Sequence, residues 1–534
     1  MRFNLAEQPW LPVVRLDGTR AEVSLVTLLT EAHLIRRVLG QTPPMTAALH
    51  RLVLALMHRV YGPADGEAWA ELWEAGSLPD PTVPGPGETQ PRLPTGWFEL
   101  FDSDRPFFQC PGVSKVPASS AAKLVPHLAV GNNTTLFDHT TATDDVSLSP
   151  AEAARWLVTL QAYDPGGMKT PYTKDKSSQA APANRMGMVL VEGGTLKETL
   201  LLNLLPYSPT QERPRNTEAD DRPAWEAPPP SPEPELRHPK GWTDLLTWPS
   251  RRVWLVPSLR DGTLVVDQVV ITPGTRLSGE PQDNEWMAAH RRPKIREGRT
   301  AKGQTTRPTY GPWYPVRLTE HRGVWRFSQE LLLSPVGAEE RHWQRPPTLD
   351  HVARMVMEDV IPRDAVYTLR VFGQQLDSKG SVVEQTLEET VAAPVTLLRA
   401  AHDVAGPVIG ESIQLANLVG SALNQMEREH RAQFAARPSA ELALGYWPLL
   451  AAPFDVLLKA LAQALGAGTS PVPATREWAR AVFRTATDAA VRWAEGSPRR
   501  GRSLEAAGEC YGRFVEQLDE EIRAYHGRLA GFIE

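Results

Sequence analysis

Cysteine is almost missing from this chain: of 534 residues only Cys110 and Cys510 carry a thiol, and they lie far apart. That excludes a disulfide framework and any paired-cysteine zinc site. No apolar run approaches the roughly 18 residues that a bilayer-spanning helix needs, so no membrane is expected among the partners. The opening MRFNLAEQPW has one early Arg but neither a continuous apolar stretch nor a small-residue cleavage site, so a secretory signal is not expected and a cytoplasmic location is. Catalytic signatures are equally scarce. There is no GxxxxGK[ST] loop, and GPVIGES at Gly406–Ser412 lacks the lysine that would reach a phosphate. There is no HExxH and no nucleophile beside a base. His402-Asp403 is an HD dipeptide whose further metal ligands cannot be assigned, so a helix residue is the plainer reading and no metal or cofactor is expected. His50 and His58 share one helix face, where satisfied or exposed histidines are commoner than ligands. Nothing in the sequence asks for an enzyme.

What is present is an ordinary globular composition, 41% apolar and 22% charged, in a chain long enough for several domains. Net charge is −6, which argues against a surface coated with basic residues. The charge is uneven, however. Between His290 and Arg326 stand Arg291, Arg292, Lys294, Arg296, Arg299, Lys302, Arg307, Arg317, Arg322 and Arg326 against only Glu297 and Glu320, a local +8. Tyr310, Trp313, Tyr314 and Trp325 interleave with these arginines, a mix suited to phosphates and sugar faces. The plainer reading of the window is a solvated Arg-rich loop.

Hydrophobic periodicity organises the rest. PWLPVVRLDGTRAEVSLVTLL reads as a strand, a turn at Asp17-Gly18 and a return. Met45, Leu49, Leu52, Val53, Leu56 and Val60 recur at helical spacing between Pro43-Pro44 and Gly62. WFELFD and RPFFQC are strand candidates. SPAEAARWLVTLQAY predicts a helix with Ser149 as cap, Pro150 in its first turn and Glu152 closing a capping box. MVLVEGGTLKETLLLNLL reads either as a hairpin at Gly193-Gly194 or as a strand leading into another element. Arg213–Pro239, with EAPPPSPEPE at its centre, predicts an extended surface crossing. RRVWLVPSLRDGTLVVDQVVI predicts strands around an Asp261-Gly262 turn. From about Val383 the pattern becomes helical. Leu504, Ala507, Tyr511, Phe514, Leu518, Ile522 and Tyr525 form one stripe, and Val482, Phe483, Ala486, Ala490 and Trp493 another. The expected fold is α+β: a large mixed α/β N-terminal domain over residues 1–382, followed by a C-terminal four-helix bundle over residues 383–534.

Two irregular loops leave opposite ends of the Ser149-capped helix. One is GNNTTLFDHTTATDD, Gly131–Asp145, whose polar run carries a lone apolar pair, Leu136 and Phe137. That pair either packs on the following helix or meets a partner. The other is DPGGMKTPYTKDKSS, glycine-rich and basic.

Taken in order, NLAEQPWLPVVRLDG, LFDHTT, DRPAWE, GWTDLLTWPSRRVWLVP and the helical C-terminus resemble the CasA family, the large subunit of the type I-E CRISPR surveillance complex called Cascade. The resemblance runs over almost the full length. It implies a non-enzymatic DNA reader that sits at the end of the complex holding the guide RNA 5′ end, senses the short flanking motif (PAM) in target double-stranded DNA through the minor groove, starts strand separation and R-loop formation, and recruits an effector nuclease-helicase. The implied partners also include the other Cascade subunits: the backbone, 5′-handle-binding and small subunits. By the same resemblance the first loop places Asn133, Phe137, Asp138 and His139 at the PAM, and a glycine loop falls on Pro165, Gly166 and Gly167. A lysine finger falls on Lys302, with Lys294 as second candidate, and a strand-separating wedge on Gln374, Gln375, Ser378 and Lys379. Some relatives carry cysteine clusters that look metal-binding; this chain has none, so no zinc is expected. The competing reading is a structural scaffold subunit that binds RNA or protein without reading DNA.

Overall fold

The computed structural model describes residues 1–85, 87, 89–126, 146–279, 281–296, 309–318, 323–333, 342–399, 402–434, 441–496 and 501–533. The chain folds into two compact units whose sequences interleave. The first comprises 1–293, 311–318 and 370–388; the second comprises 294–310, 319–369 and 389–534.

The first unit opens on three antiparallel strands in the order β2-β1-β3: β1, Leu11–Arg15; β2, Arg20–Val23; β3, Ile35–Val38. At the β1–β2 turn the Asp17 carboxylate accepts from Thr19 N at 2.9 Å and Thr19 Oγ1 at 2.7 Å, while Gly18 takes φ +86°. Helix α1, Pro43–Val60, starts where Thr42 accepts from Met45 N, with prolines in the first turn. It is buried nearly all round, His50, Arg51 and His58 included, as expected of a central core helix. Helix α2, Pro150–Tyr163, carries the predicted capping box: Ser149 Oγ accepts from Glu152 N, and Glu152 Oε2 from Ser149 N. Beyond it come the short strands β4, Gly167–Met168, and β5, Ser177–Ser178, then β6, Met188–Glu192, and helix α3, Leu196–Leu202. The Gly193-Gly194 segment therefore leads a strand into a helix, capped by Thr195.

The long hairpin of β7, Arg251–Arg260, and β8, Thr263–Pro273, turns at Asp261 and Gly262, both at positive φ (51° and 76°), the backbone a tight hairpin turn requires. Residues 370–388 return to this unit as most of a second hairpin, made by β9, Val366–Leu376, and β10, Val383–Pro394, in a sheet of order β10-β9-β6. The segment from Val383 to Pro394 is thus a strand, where helix was expected. Its first eight residues alternate between half-buried and exposed, the period-2 signature of a strand, and helix begins only at Val395.

Two further expectations are corrected. WFELFD and RPFFQC form no strands: Thr95–Phe98 is a 3-10 turn, and Glu99 makes one isolated bridge to Asn4. Their aromatics fill space instead, with Phe98 5.6 Å from Phe107 and Trp225 5.5 Å from Phe98 between ring centroids. Trp225 belongs to the proline-rich segment, so Arg213–Pro239 is more than a surface crossing. Trp225 is buried, and so is Asp221, whose carboxylate accepts from Tyr207 OH and from the Thr243 and Asp244 amides.

In the second unit four long helices follow the expected C-terminal pattern: α4, His402–Phe434; α5, Ala451–Ala467; α6, Val472–Gly496; α7, Gly501–Ile533. GPVIGES lies inside α4, so it is helix and not a phosphate loop. On α7 the buried stripe is Ala507, Cys510, Phe514, Leu518, Tyr525 and Leu529, while Leu504 is exposed. Tyr525 OH meets Ser412 Oγ at 2.8 Å and Trp478 Nε1 donates to Ser412 O at 3.0 Å, tying α7 and α6 to α4. Trp325 is core here, its ring centroid 4.9 Å from that of Phe454. The run Leu442–Ala467 does reach the length and mean hydropathy (1.4) of a membrane span, contrary to the sequence reading. Its Phe454, Leu457, Leu458 and Leu461 are nonetheless packed in the core.

Candidate nucleic-acid interface

Helix α2 ends at Asp164, and the next residues form the base of a small hairpin. Gly167 pairs with Ser178 and Met168 with Ser177, and Lys169 N donates to Lys176 O at 2.9 Å. Both glycines stand where a side chain would be tight. A Cβ on Gly166 would lie 3.2 Å from Ala180 N, 3.2 Å from Ser178 O and 3.3 Å from Gly380 O, all backbone atoms. Gly167 stands at φ +110°, and a Cβ there would meet Ser381 Cβ at 3.3 Å. Gly380 and Ser381 belong to the turn of the β9–β10 hairpin. The glycine loop and that hairpin's tip are therefore in contact within the first unit.

Beneath the loop lies Arg251, whose side chain is 1% exposed. It donates to Asp164 Oδ2 at 2.6 Å, Ser250 O at 2.7 Å, Pro165 O at 2.8 Å and Gln179 O at 3.0 Å, so one guanidinium fixes both ends of the glycine hairpin. Lys169 closes on the same Asp164 carboxylate at 2.8 Å. Burial pushes the Asp164 carboxyl up, but Lys169 and Arg251 outweigh it and hold the group below its ordinary range. The far end is tied down as well: Asp175 pairs with Arg276, and Thr173 Oγ1 donates to Glu233 at 3.0 Å.

The opposing tip is equally ordered. Asp377 Oδ1 accepts from Ser381 N at 2.7 Å and Val382 N at 2.8 Å, and Gly380 takes φ +68°. These amides hold the Asp377 carboxyl below its ordinary range. Ser378 and Lys379 project exposed at the apex. Gln374 does not join them: its Nε2 donates to Tyr163 O at 3.1 Å and Asn184 Oδ1 at 2.8 Å, bracing the end of α2. Gln375 donates to Glu384 Oε2 at 3.1 Å across the hairpin. The four wedge candidates thus divide, two at the tip and two in the stem.

The residues of the basic window are divided between the two units. In the first unit the Arg292 guanidinium sits 4.9 Å from the Trp313 ring centroid, Arg291 pairs with Tyr314, and Arg317 Nε donates to Arg185 O at 2.8 Å. In the second, Tyr310 stacks on His342 and Trp325 is buried, so two of the four aromatics serve packing. Lys294 lies on a short strand paired with Thr309–Tyr310, its side chain outside the described set. Asn133, Phe137, Asp138, His139 and Lys302 fall outside the described residues, as do the side chains of His402 and Asp403. Among the described residues no group of three His, Cys, Asp or Glu could hold a metal ion. Sequence reasoning missed Met168, 84% exposed between the glycines and Lys169, and the Arg251 strut. The PGGM string marked the first, whereas the second depends on contacts far apart in sequence.

The chain belongs to the CRISPR-associated protein Cse1 family, whose model matches residues 4–489. It is 32% identical over 438 residues to the CRISPR-associated protein CasA/Cse1 of Thermus thermophilus, covering 80% of this chain and 78% of that one. The crystal structure of Thermobifida fusca Cse1 matches with a TM-score of 0.77 at 28% identity, over 98% of each chain. A chain in a CRISPR RNA-guided surveillance complex shares the fold, with a TM-score of 0.69 at 19% identity over 97% of this chain and 99% of that one.

Proposed function

We propose that the chain is the non-catalytic DNA-recognition subunit of a type I-E Cascade surveillance complex in the cytoplasm. In this reading the mixed α/β part carries the PAM-sensing loops, and the four long helices between His402 and Ile533 form the bundle. It senses the PAM in duplex DNA through the minor groove, helps to start strand separation and the R-loop, and recruits the effector nuclease-helicase. Its partners are the guide RNA 5′ end and the backbone, 5′-handle-binding and small subunits. The observation that carries the reading is the contact between the glycine hairpin and the β9–β10 tip.

A minor groove only about 6 Å wide admits a backbone stripped of side chains, which Gly166 and Gly167 supply. Immediately beside it stands a braced, two-stranded projection ending in exposed Ser378 and Lys379. One element reads the closed duplex while its neighbour occupies the space into which the first pair opens. Asn133, Phe137, Asp138, His139, Lys302 and Lys294 complete the proposed contact set. Minor-groove edges distinguish mainly A·T from G·C, so such a reader is permissive and leaves sequence specificity to guide pairing.

The test is binding of a guide-loaded complex, reconstituted with and without this chain, to duplexes bearing a library of flanking trinucleotides beside one matched target. Binding that depends on both the chain and the flank supports the reading. Binding indifferent to the chain assigns it to a scaffold role.

A further inference from the structure

Two residues that periodicity assigns to core stripes are not absorbed by the fold: Phe483 on α6 and Ile522 on α7 are each only half-buried. Both open onto one groove between these helices, about 580 Å³ in volume, with Ala479 in its floor. The α6 wall carries Arg476, Arg480 and Arg484, all exposed and about one helical turn apart. Like charges at that spacing repel and destabilise a helix. Compensation is partial: the Glu477 carboxylate is shared between Arg480 at 2.9 Å and Arg484 at 3.5 Å, and Arg476 has no carboxylate partner among the described residues. The α7 wall is of the other sign. Asp519 is exposed there, while burial, helped by Arg476, lowers the pKa of His526, so the histidine adds no charge at neutral pH. The bundle does not need this groove for its own packing, since its core closes through Trp478, Phe514, Leu518 and Tyr525, all buried.

We infer that the α6–α7 groove is a docking site for an amphipathic helix of a partner protein, one whose apolar ridge seats on Phe483 and Ile522, with an acidic flank along the α6 arginines and a basic flank along Asp519. This goes beyond duplex recognition and does not depend on it. A helix laid between two others buries its apolar ridge on the groove floor, and charged residues on its flanks fix partner and orientation. Arginine and aromatic residues are the types enriched at such contacts, and guanidiniums are weakly hydrated, so covering them is less costly than covering lysines. The charge pattern also selects against the other polymer that a row of arginines invites. A phosphodiester chain is negative along its whole length and would meet Glu477 and Asp519 with the wrong sign, whereas a helix with two differently charged flanks meets each wall with its opposite.

The test titrates the full chain with labelled alanine-rich helical peptides of about 20 residues that carry leucines along one face. One peptide has Glu on one flank and Lys on the other, a second has Lys on both flanks, and labelled oligothymidine is the third probe. The Glu/Lys peptide is expected to bind, and the all-Lys peptide to bind at least about tenfold more weakly because one lysine flank must face the arginine row. Phe483→Ala should weaken the Glu/Lys peptide by about tenfold. The decisive chain is Arg480→Glu with Arg484→Glu, in which both walls are acidic and the all-Lys peptide should become the tighter of the two. A misfolded chain cannot produce that inversion. Absence of saturable binding by the Glu/Lys peptide overturns the inference, as does a preference left unchanged in the charge-reversed chain. Oligothymidine bound more tightly than either peptide, and lost in the same charge-reversed chain, overturns it in favour of a nucleic-acid groove.

Discussion

Gly166→Ala isolates the contact on which the functional reading turns. The substitution adds one methyl group and no backbone strain, because Gly166 does not occupy the left-handed region. Its cost is steric. The new Cβ meets Ala180 N and Ser178 O at 3.2 Å and Gly380 O at 3.3 Å, and these are backbone atoms that no rotamer change can move. Two of them belong to the glycine hairpin's own return segment and the third to the β9–β10 tip, so relief shifts the loop by a few tenths of an ångström against both its own return segment and the neighbouring tip. Overpacking of this kind costs about 1–3 kcal/mol. The part of that cost borne by the contact with the tip falls on binding when DNA needs the hairpins side by side, and if it is all of it the loss is about 5- to 150-fold. Thermal unfolding should drop by no more than several degrees. Gly76→Ala, with nothing within 4 Å of the added atom, is the control and should be neutral within about 0.5 kcal/mol. Duplex titration by the reconstituted complex, paired with thermal scans of both variants, is the assay. Full flank-dependent binding by Gly166→Ala would refute the argument.

Other outcomes follow from the same contacts. Arg251→Met should destabilise the first unit by about 3–5 kcal/mol, because it strands Asp164 half-buried beside a single lysine; adding Asp164→Asn should recover part of that loss, and strict additivity in the double mutant would sink the idea. Gln374→Ala should cost about 1–2 kcal/mol of stability. Ser378→Ala with Lys379→Ala should instead leave the melt unchanged and slow opening of the first target pairs, followed by 2-aminopurine fluorescence; the reverse pattern would place the wedge on Gln374 in the stem. Burial lowers the pKa of His50 to about 4, helped by Arg370, and burial lowers that of His290 to about 4 as well. Both folded values lie below the unfolded value near 6.5, so the stabilisation is complete above pH 6.5 and is lost as pH falls toward 4. Each contributes roughly 3 kcal/mol over that window. Denaturant titrations at about pH 7, 6, 5 and 4.5 should show the fall, and His50→Gln should flatten it; a curve as steep in the variant as in wild type would exclude His50 as a source.

Local signals carried the parts of the fold that are local. Ser149, Pro150 and Glu152 announce a helix start because the cap, the missing amide and the reciprocal carboxylate all act within four residues. Asp261-Gly262 announces a hairpin because both positions need positive φ. The aromatic runs around Phe98 and Phe107 misled for the opposite reason: strand propensity measures fit to a half-buried sheet, and here the rings stack on Trp225 from over a hundred residues away. Val383–Pro394 was lost among helical neighbours even though its charged residues alternate with half-buried ones. At the site, glycine pairing in PGGM was legible, whereas the return strand of the β9–β10 hairpin was not. The division between stem and tip was not, since Gln374 is assigned by Tyr163 and Asn184, which no spacing rule brings to it. The division of the basic window between two units was not legible either, because charge counts along a chain do not register which unit each residue enters.

The most direct test of the central claim is site-specific photocrosslinking from Lys379 and Lys176, each replaced by a photoreactive residue, within a guide-loaded complex bound to a matched duplex. Both residues are exposed, one on each of the touching hairpins, so replacing them should not disturb the fold. The account predicts adducts confined to the few flanking and first target nucleotides, weakened when the flank is changed to a disfavoured trinucleotide. Adducts scattered along the duplex, or found only on RNA or protein, would contradict it.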